Sequence, residues 1–435
     1  MNLVPDDMRL LALALAILIQ TLIGFLFRKK LAGLFDLFFL NVTYVSFGTA
    51  GLVFFYISAG NSKVLDELIL LFFWLAGTLL GIHTVATKNA RTQAVIINHN
   101  LTRQSGSNYD MICFAIICGL YLLYAVQILT SGIFSLDSAA IDNRFLVQQN
   151  NKFQAYLFSA AGLLPGIMLF RIRPKLTPLK FFLAIMPFWI TQASTFSKTG
   201  FLFPVIAASL YYSLKIKSGD QPRPNMRRQL IYLGITAASI FLIFTGITEF
   251  VINTEISAFT LLLDRLLSSF DGLAYLSTIN LSKEGSLSLF QFYFSPFLKV
   301  LGLYNQAYNA FNYVLAVEFF GQPSDYSGML PNNNHIGEII VTFTPYFRAP
   351  VAILSGFLYG FIYNNSVRYV LRGGLWIIPA AFVVATPFGF LIDGQGWAIA
   401  FFSSLVLMLI CAVISGTIKL VTFLSRRPIS KAVAK

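Results

Sequence analysis

The sequence has little charge and few cysteines. Only 11% of its 435 residues are charged, against 57% hydrophobic, with 44 Phe. That balance lies outside the soluble globular range and places the chain in the polytopic membrane class. Cys113, Cys118 and Cys411, the three cysteines, all fall inside apolar runs, which argues against a disulfide framework or a thiolate metal cluster. A Walker A sequence, HExxH, GxSxG and Asp-x-Asp are absent as well. ATP-driven transport, zinc proteolysis, lipase chemistry and metal-assisted use of a nucleotide sugar therefore lack their usual residues. The net charge of +13 would suit nucleic acid if it formed one stripe. Instead the Lys and Arg recur in small groups beside apolar runs, the pattern of positive-inside flanks, so no nucleic-acid partner is expected.

At about 20 apolar residues per crossing, the sequence predicts an all-α polytopic membrane protein. It has about eleven transmembrane helices and one large extracytoplasmic loop containing amphipathic helices. The predicted spans are Met8–Phe27, Leu34–Ser58, Leu68–Ala86, Met111–Leu129, Phe153–Phe170, Pro178–Thr195, Gly200–Leu214, Leu230–Phe250, Pro350–Val367, Leu375–Ile392 and Trp397–Leu420. Met8–Phe27 is long enough to be a retained span, not a cleaved signal. The chain thus divides into eight spans over 1–249, a large loop over 250–349, three spans over 350–420 and a tail over 421–435.

Orientation follows from the connections. With the N-terminus outside, the inner segments hold 22 of the 31 Lys and Arg, and the outer segments hold nine although they include the longest loop. The large loop is therefore expected outside and the tail in the cytoplasm. Within the loop, Ile256–Phe270 carries Leu262, Leu263, Leu266, Leu267 and Phe270 on one helical face and Asp264, Arg265, Ser268 and Asp271 on the other. It predicts a helix along the membrane surface or against the bundle. Ser288–Tyr304 and Ala307–Phe320 also have helical spacing, 321–334 reads as a turn region, and His335–Phe343 as a short helix halted by Pro345.

Four outer cations are candidate anion ligands: Arg144 in a polar loop, Lys198 at the tip of TFSKTGF, Arg265 on its amphipathic helix and Arg348 at the mouth of the next span. Cations are disfavoured on this side by the topology rule, so a diphosphate is their natural partner. The plain alternative for each is a snorkelling or salt-bridged side chain. Asp325, His335 and Glu338 are the candidates for accepting a proton from a sugar hydroxyl. His335 and Glu338 are three apart and share a helix face; the alternative for Glu338 is to cap a helix begun by Asn334. Asp393, in the turn DGQG, either lines the site or serves the turn alone.

The order of features is DNRF in an outer loop, SKTG in a hairpin, LLDRLLSSFDG in the long loop, then PNNNHIGEIIVTF before a Gly-rich span. It resembles the Wzy-type oligosaccharide repeat-unit polymerases, which make O-antigen and related polysaccharides at the outer face of the bacterial inner membrane. The resemblance covers most of the chain as topology, but only those four stretches as residues. It implies a glycosyltransferase at the periplasmic face that needs no cofactor and no metal. The growing chain would leave undecaprenyl diphosphate and join a newly flipped repeat unit. Implied partners are the undecaprenyl-diphosphate-linked oligosaccharide, membrane lipids and a Wzz-type chain-length regulator. Arg144, Lys198 and Arg265 would bind the diphosphate. Asn332, Asn333 and Asn334, in the segment that runs to Glu338, would hold the acceptor sugar. His335 would be the counterpart of an outer histidine in the related O-antigen ligases. An O-antigen ligase, a polyprenyl-phosphate-dependent glycosyltransferase and a lipid-linked oligosaccharide flippase are the competing expectations. The last would need charge within several spans, and mid-span charge is scarce.

Overall fold

The computed structural model describes residues 4–28, 31–84, 107–130, 152–193, 198–247, 258–278 and 334–425. Among these residues the chain is helical, with no strand. That is the outcome expected where apolar surroundings offer the backbone no other hydrogen bonds. The helices are α1 (Arg9–Phe27), α2 (Leu37–Ala59), α3 (Ser62–Thr84), α4 (Asn108–Thr130), α5 (Lys152–Ala161), α6 (Leu164–Ile172), α7 (Pro178–Ala193) and α8 (Lys198–Lys217). They continue as α9 (Met226–Ile247), α10 (Ala258–Leu267), α11 (Asp271–Thr278), α12 (His335–Thr342), α13 (Pro345–Arg372), α14 (Ile377–Ala385), α15 (Gly389–Ile392) and α16 (Gly394–Ser425). Five described segments are long and apolar enough to cross a membrane: Asp6–Phe27, Leu37–Ala59, Ser62–Thr84, Asn108–Thr130 and Gly396–Phe423.

Helix ends follow capping chemistry more than hydropathy. The Asp36 carboxylate accepts the Phe38 N–H at 3.0 Å and starts α2, which ends at Gly60 with a left-handed φ of 64°. α3 begins at Ser62, six residues before the predicted Leu68, because the Asn61 side chain accepts the Lys63 N–H at 3.0 Å. Lys63, Asp66 and Glu67 thus belong to α3. α13 likewise starts at Pro345 and runs through Pro350, instead of starting there. A proline in the first turn lacks only an N–H that would have had no helical partner.

α3 and α13 pack in parallel along a seam of four glycines, Gly77 and Gly81 on one helix and Gly356 and Gly360 on the other. A β-carbon at Gly77 would lie 3.0 Å from the Phe357 nitrogen, and one at Gly360 would lie 3.0 Å from the Ile82 nitrogen. The two backbones therefore touch, as small-xxx-small pairs allow. The consequence is positional: the beginnings of α3 and α13 are held at one level.

α10, a 3-10 turn over Ser268–Phe270, and α11 pack on α2. A β-carbon at Gly51 would run into the Leu267 carbonyl, and one at Gly48 would lie 2.8 Å from the Phe270 ring. Gly51 is about 12 Å short of the end of α2 at 1.5 Å per residue. This amphipathic segment therefore packs against the bundle and dips beside α2, then returns to the α2–α3 corner, where Asn61 Nδ2 donates to the Ser277 carbonyl at 2.9 Å. Of the other loop expectations, Ser288–Tyr304, Ala307–Phe320 and the turn over 321–333 lie outside the described residues.

Two predicted spans are each broken, and a tyrosine from a neighbouring helix repairs each break. Between α5 and α6 the Gly162 carbonyl accepts from the Tyr121 hydroxyl at 2.6 Å. Between α14 and α15, Pro387 interrupts the ladder and Phe388 takes a φ of 59°. Its N–H donates to the Tyr359 hydroxyl at 2.7 Å. At the far ends of these helices Arg171 and Asp110 form an ion pair at 3.0 Å, their side chains 2% and 0% exposed. Arg171 also donates to the Leu371 carbonyl at 2.9 Å. That pair ties α4, α6 and α13 together.

Candidate functional site

α12 is the described end of the region predicted to carry chemistry. Asn334 begins it, its side chain accepting the Ile336 N–H at 2.8 Å. Arg348, in the first turn of α13, closes it by donating to the Ile340 and Phe343 carbonyls, each at 2.9 Å. The helix is thus capped at one end by an amide and at the other by a guanidinium. Its apolar face is buried through Ile336, Ile339, Ile340 and Val341 against α3, α11, α13, α15 and α16.

His335 and Glu338 are 2% and 0% exposed and bond to each other, Nδ1 to Oε2, at 3.0 Å. Glu338 pairs with the imidazole instead of returning to cap the helix. On its other side, His335 Nε2 lies 3.1 Å from the Ser355 hydroxyl, which also contacts the Ala352 carbonyl at 3.2 Å. The broken α14–α15 span lays Phe390 on the imidazole, with ring centroids 4.3 Å apart. The first residue of α16, Gly394, leaves room for the Glu338 carboxyl: a β-carbon there would lie 2.8 Å from Oε1. A helix N-terminus favours negative charge at that point.

Hydrogen counting limits what this cluster does. If Ser355 donates to Ala352, it must accept from Nε2, and Nδ1 then either accepts from a protonated Glu338 or donates to an ionised one from an imidazolium. Both arrangements leave the trio without net charge, which is the inexpensive condition for a buried group. Burial lowers the His335 pKa to about 3, so the neutral imidazole is preferred.

The other sequence candidates are dispersed. Arg265 is exposed on α10, and its neighbour Asp264 pairs with Arg9 at 3.0 Å, not with Arg265. Burial raises the Asp264 pKa while Arg9 opposes it. Lys198 is the first residue of α8. Arg144, Asp325, Asn332 and Asn333 lie outside the described residues. Asn334 is fully buried, and its Nδ2 has no partner among the described residues. Asp393 accepts the Gly396 N–H at 2.9 Å and so caps α16.

Two cavities sit at opposite ends of the α3–α13 seam. One, of about 320 Å³, includes Phe38, Ile82, Lys217, Arg223 and Tyr363 in its lining. Lys217 pairs there with Asp36 at 2.8 Å and Arg223 donates to the Leu31 carbonyl, much as Arg348 at the other cavity donates to the Ile340 and Phe343 carbonyls. The other, of about 400 Å³, lies where α3 and α13 begin, on the predicted outer side, with Lys63, Glu67, Leu70, Leu276, Ile340 and Arg348 in its lining. Glu67 is the residue that sequence reasoning missed. It stands one position before the predicted span and looks like a flanking charge, and the early start of α3 is what turns it inward.

The fold and composition define a helical membrane protein with a cavity of charged and apolar side chains at one end of its central helix pair. No family model, no curated protein and no solved structure matches the chain.

Proposed function

We propose that the protein is a polymerase of undecaprenyl-diphosphate-linked oligosaccharide repeat units, working at the periplasmic face of the bacterial inner membrane with eleven crossings and its large loop outside. The observation that carries this reading is the outer cavity, which brings Lys63 and Arg348 beside Leu70, Leu276 and Ile340. Cations suit a diphosphate and apolar walls suit the prenyl chain attached to it. Exposed Arg265, outside the lining of this cavity and on a helix braced against α2, is the further cation that the resemblance implies. The resemblance of the four loop stretches to Wzy-type polymerases supports the same chemistry. Direct displacement at the anomeric carbon needs positioning and charge stabilisation on the leaving diphosphate, and fixed cations provide both. The buried pair Arg171–Asp110 neutralises itself and sits at helix ends, so it gives a flippase no support.

The test is incubation of the purified protein in detergent with a diphosphate-linked repeat unit, without ATP, metal or nucleotide sugar. A ladder of longer glycans is expected. A single added unit would turn the assignment to a ligase or simple transferase, and no product from a folded preparation would overturn it. Arg265→Ala should fold as the parent does and lose the ladder, because the side chain is exposed and its removal leaves no buried void. Normal polymerisation by that variant would remove Arg265 from the site.

A further inference from the structure

Glu67 poses a problem that the packing does not explain. It is 2% exposed, it lines the outer cavity, and its Oε2 is buried with no hydrogen-bond partner among the described residues. Such a carboxyl group is costly to bury, and natural folds rarely leave one unanswered without a use. The charged groups sharing its cavity are Lys63 one turn earlier on α3, Asp66 beside it and Arg348 across the seam on α13. His335 and Glu338 bond to each other and are absent from the lining of this cavity.

We infer that Glu67 binds the attacking hydroxyl of the acceptor sugar and takes its proton. This rests on the polymerase reading above. The acceptor oxygen forms the new bond to the anomeric carbon of the donor, and the bond from that carbon to the diphosphate oxygen breaks. Its electron pair leaves on undecaprenyl diphosphate, and the hydroxyl proton passes to the Glu67 carboxylate. No oxidant, reductant or further reactant is needed. A carboxyl that lines the cavity and has an unpartnered oxygen suits the task, since in its ionised form it can accept the hydroxyl's hydrogen bond before it accepts the proton. The geometry places Glu67 and Lys63 on α3 and Arg348 across from them on α13, and the glycine seam fixes the separation of the two helices.

The experiment compares the parent with Glu67→Gln, an isosteric change that keeps a hydrogen-bond acceptor and removes the base. Three quantities are read: the rate of ladder formation, the affinity for the diphosphate-linked repeat unit by thermal shift, and the melting temperature without ligand. A rate lower by about 10²–10⁴-fold is expected, the usual contribution of a general base. Donor affinity should be unchanged, and the melting temperature equal to the parent's or higher, because glutamine matches the side chain in shape and removes a carboxyl that has an unpaired buried oxygen. A parent that forms no ladder overturns the polymerase reading and this assignment together. A parent that polymerises beside a variant of parental rate overturns the assignment of Glu67 alone. A variant that melts well below the parent makes Glu67 a structural anchor and overturns the assignment as well; Glu67→Leu, which removes the polar group altogether, should then melt lower still.

Discussion

Replacing Gly356 by alanine drives a methyl group into the backbone of α3. Its carbon would lie 3.0 Å from the Trp74 carbonyl carbon and 3.1 Å from the Thr78 nitrogen, and closer still to the Trp74 oxygen. Ordinary contact between such atoms starts near about 3.5 Å. The obstacle cannot step aside, because the Trp74 carbonyl also accepts from the Thr78 hydroxyl at 3.0 Å and belongs to the helical ladder. The helices must part instead. A gap of about 0.5–1 Å already forfeits a quarter to a half of each dispersion well, and Gly77, Gly81 and Gly360 lose their fit along the same line. The expected destabilisation is about 3 kcal/mol, the upper part of the range for overpacking. Gly119→Ala is the control, since nothing lies within 4 Å of its added carbon. There alanine should be neutral or stabilising by up to about 1 kcal/mol, through helix propensity. Thermal unfolding of the detergent-solubilised proteins separates the two. If Gly356→Ala melts with the parent and with Gly119→Ala, the backbone-contact argument is refuted, and with it the claim that the seam sets the level of Glu67 against Arg348.

Three further outcomes follow from the same structure. Arg171→Met strands the Asp110 carboxylate in the interior and should cost about 3–5 kcal/mol, whereas adding Asp110→Leu should restore most of that loss; melting curves of the single and double variants decide it. Gly394→Ala should lower the melting temperature by crowding the Glu338 carboxyl, and a parental melt would show that the carboxyl has room to move. The His335 pKa falls from 6.5 in the free residue to about 3 in the fold, so the unfolded chain takes up the proton first as pH drops. Stability from this group is therefore complete above about pH 6.5 and is lost as pH falls toward about 3. His335→Asn should show a smaller drop in melting temperature than the parent between about pH 7 and about pH 4, and an equal drop would contradict the assignment.

Much of the architecture was legible in the apolar runs, because a long stretch of Leu, Ile, Val and Phe has few conformations open to it away from water. Helices occupy all eleven predicted segments. The short helix from His335 and its Asn334 cap were legible too, since a cap is a local bond between neighbours in sequence. Less visible were the true helix starts. Asn61 and Pro345 set them by local bonding and by a missing N–H, whereas hydropathy pointed to Leu68 and Pro350. The breaks at Gly162 and Pro387 were hidden for a different reason. A proline past the first turn weakens a helix, but Pro350 leaves α13 whole while the chain at Pro387 departs from helical geometry. A hydroxyl from Tyr359, distant in sequence, meets the freed backbone N–H there.

By itself the sequence determined the class of the protein and the approximate position of its helices, because composition acts through the solvent and the lipid. Which residues meet was decided by tertiary structure. His335 and Glu338 are three apart and share a face, yet only packing under α13, α15 and α16 makes them a buried pair with Ser355. Glu67 is an unremarked acid beside an apolar run until α3 and α13 close on their glycines and α11 returns to Asn61. The reason is physical: the cost of a buried carboxylate depends on the partners that long-range contacts bring to it, and these are invisible in the order of the residues.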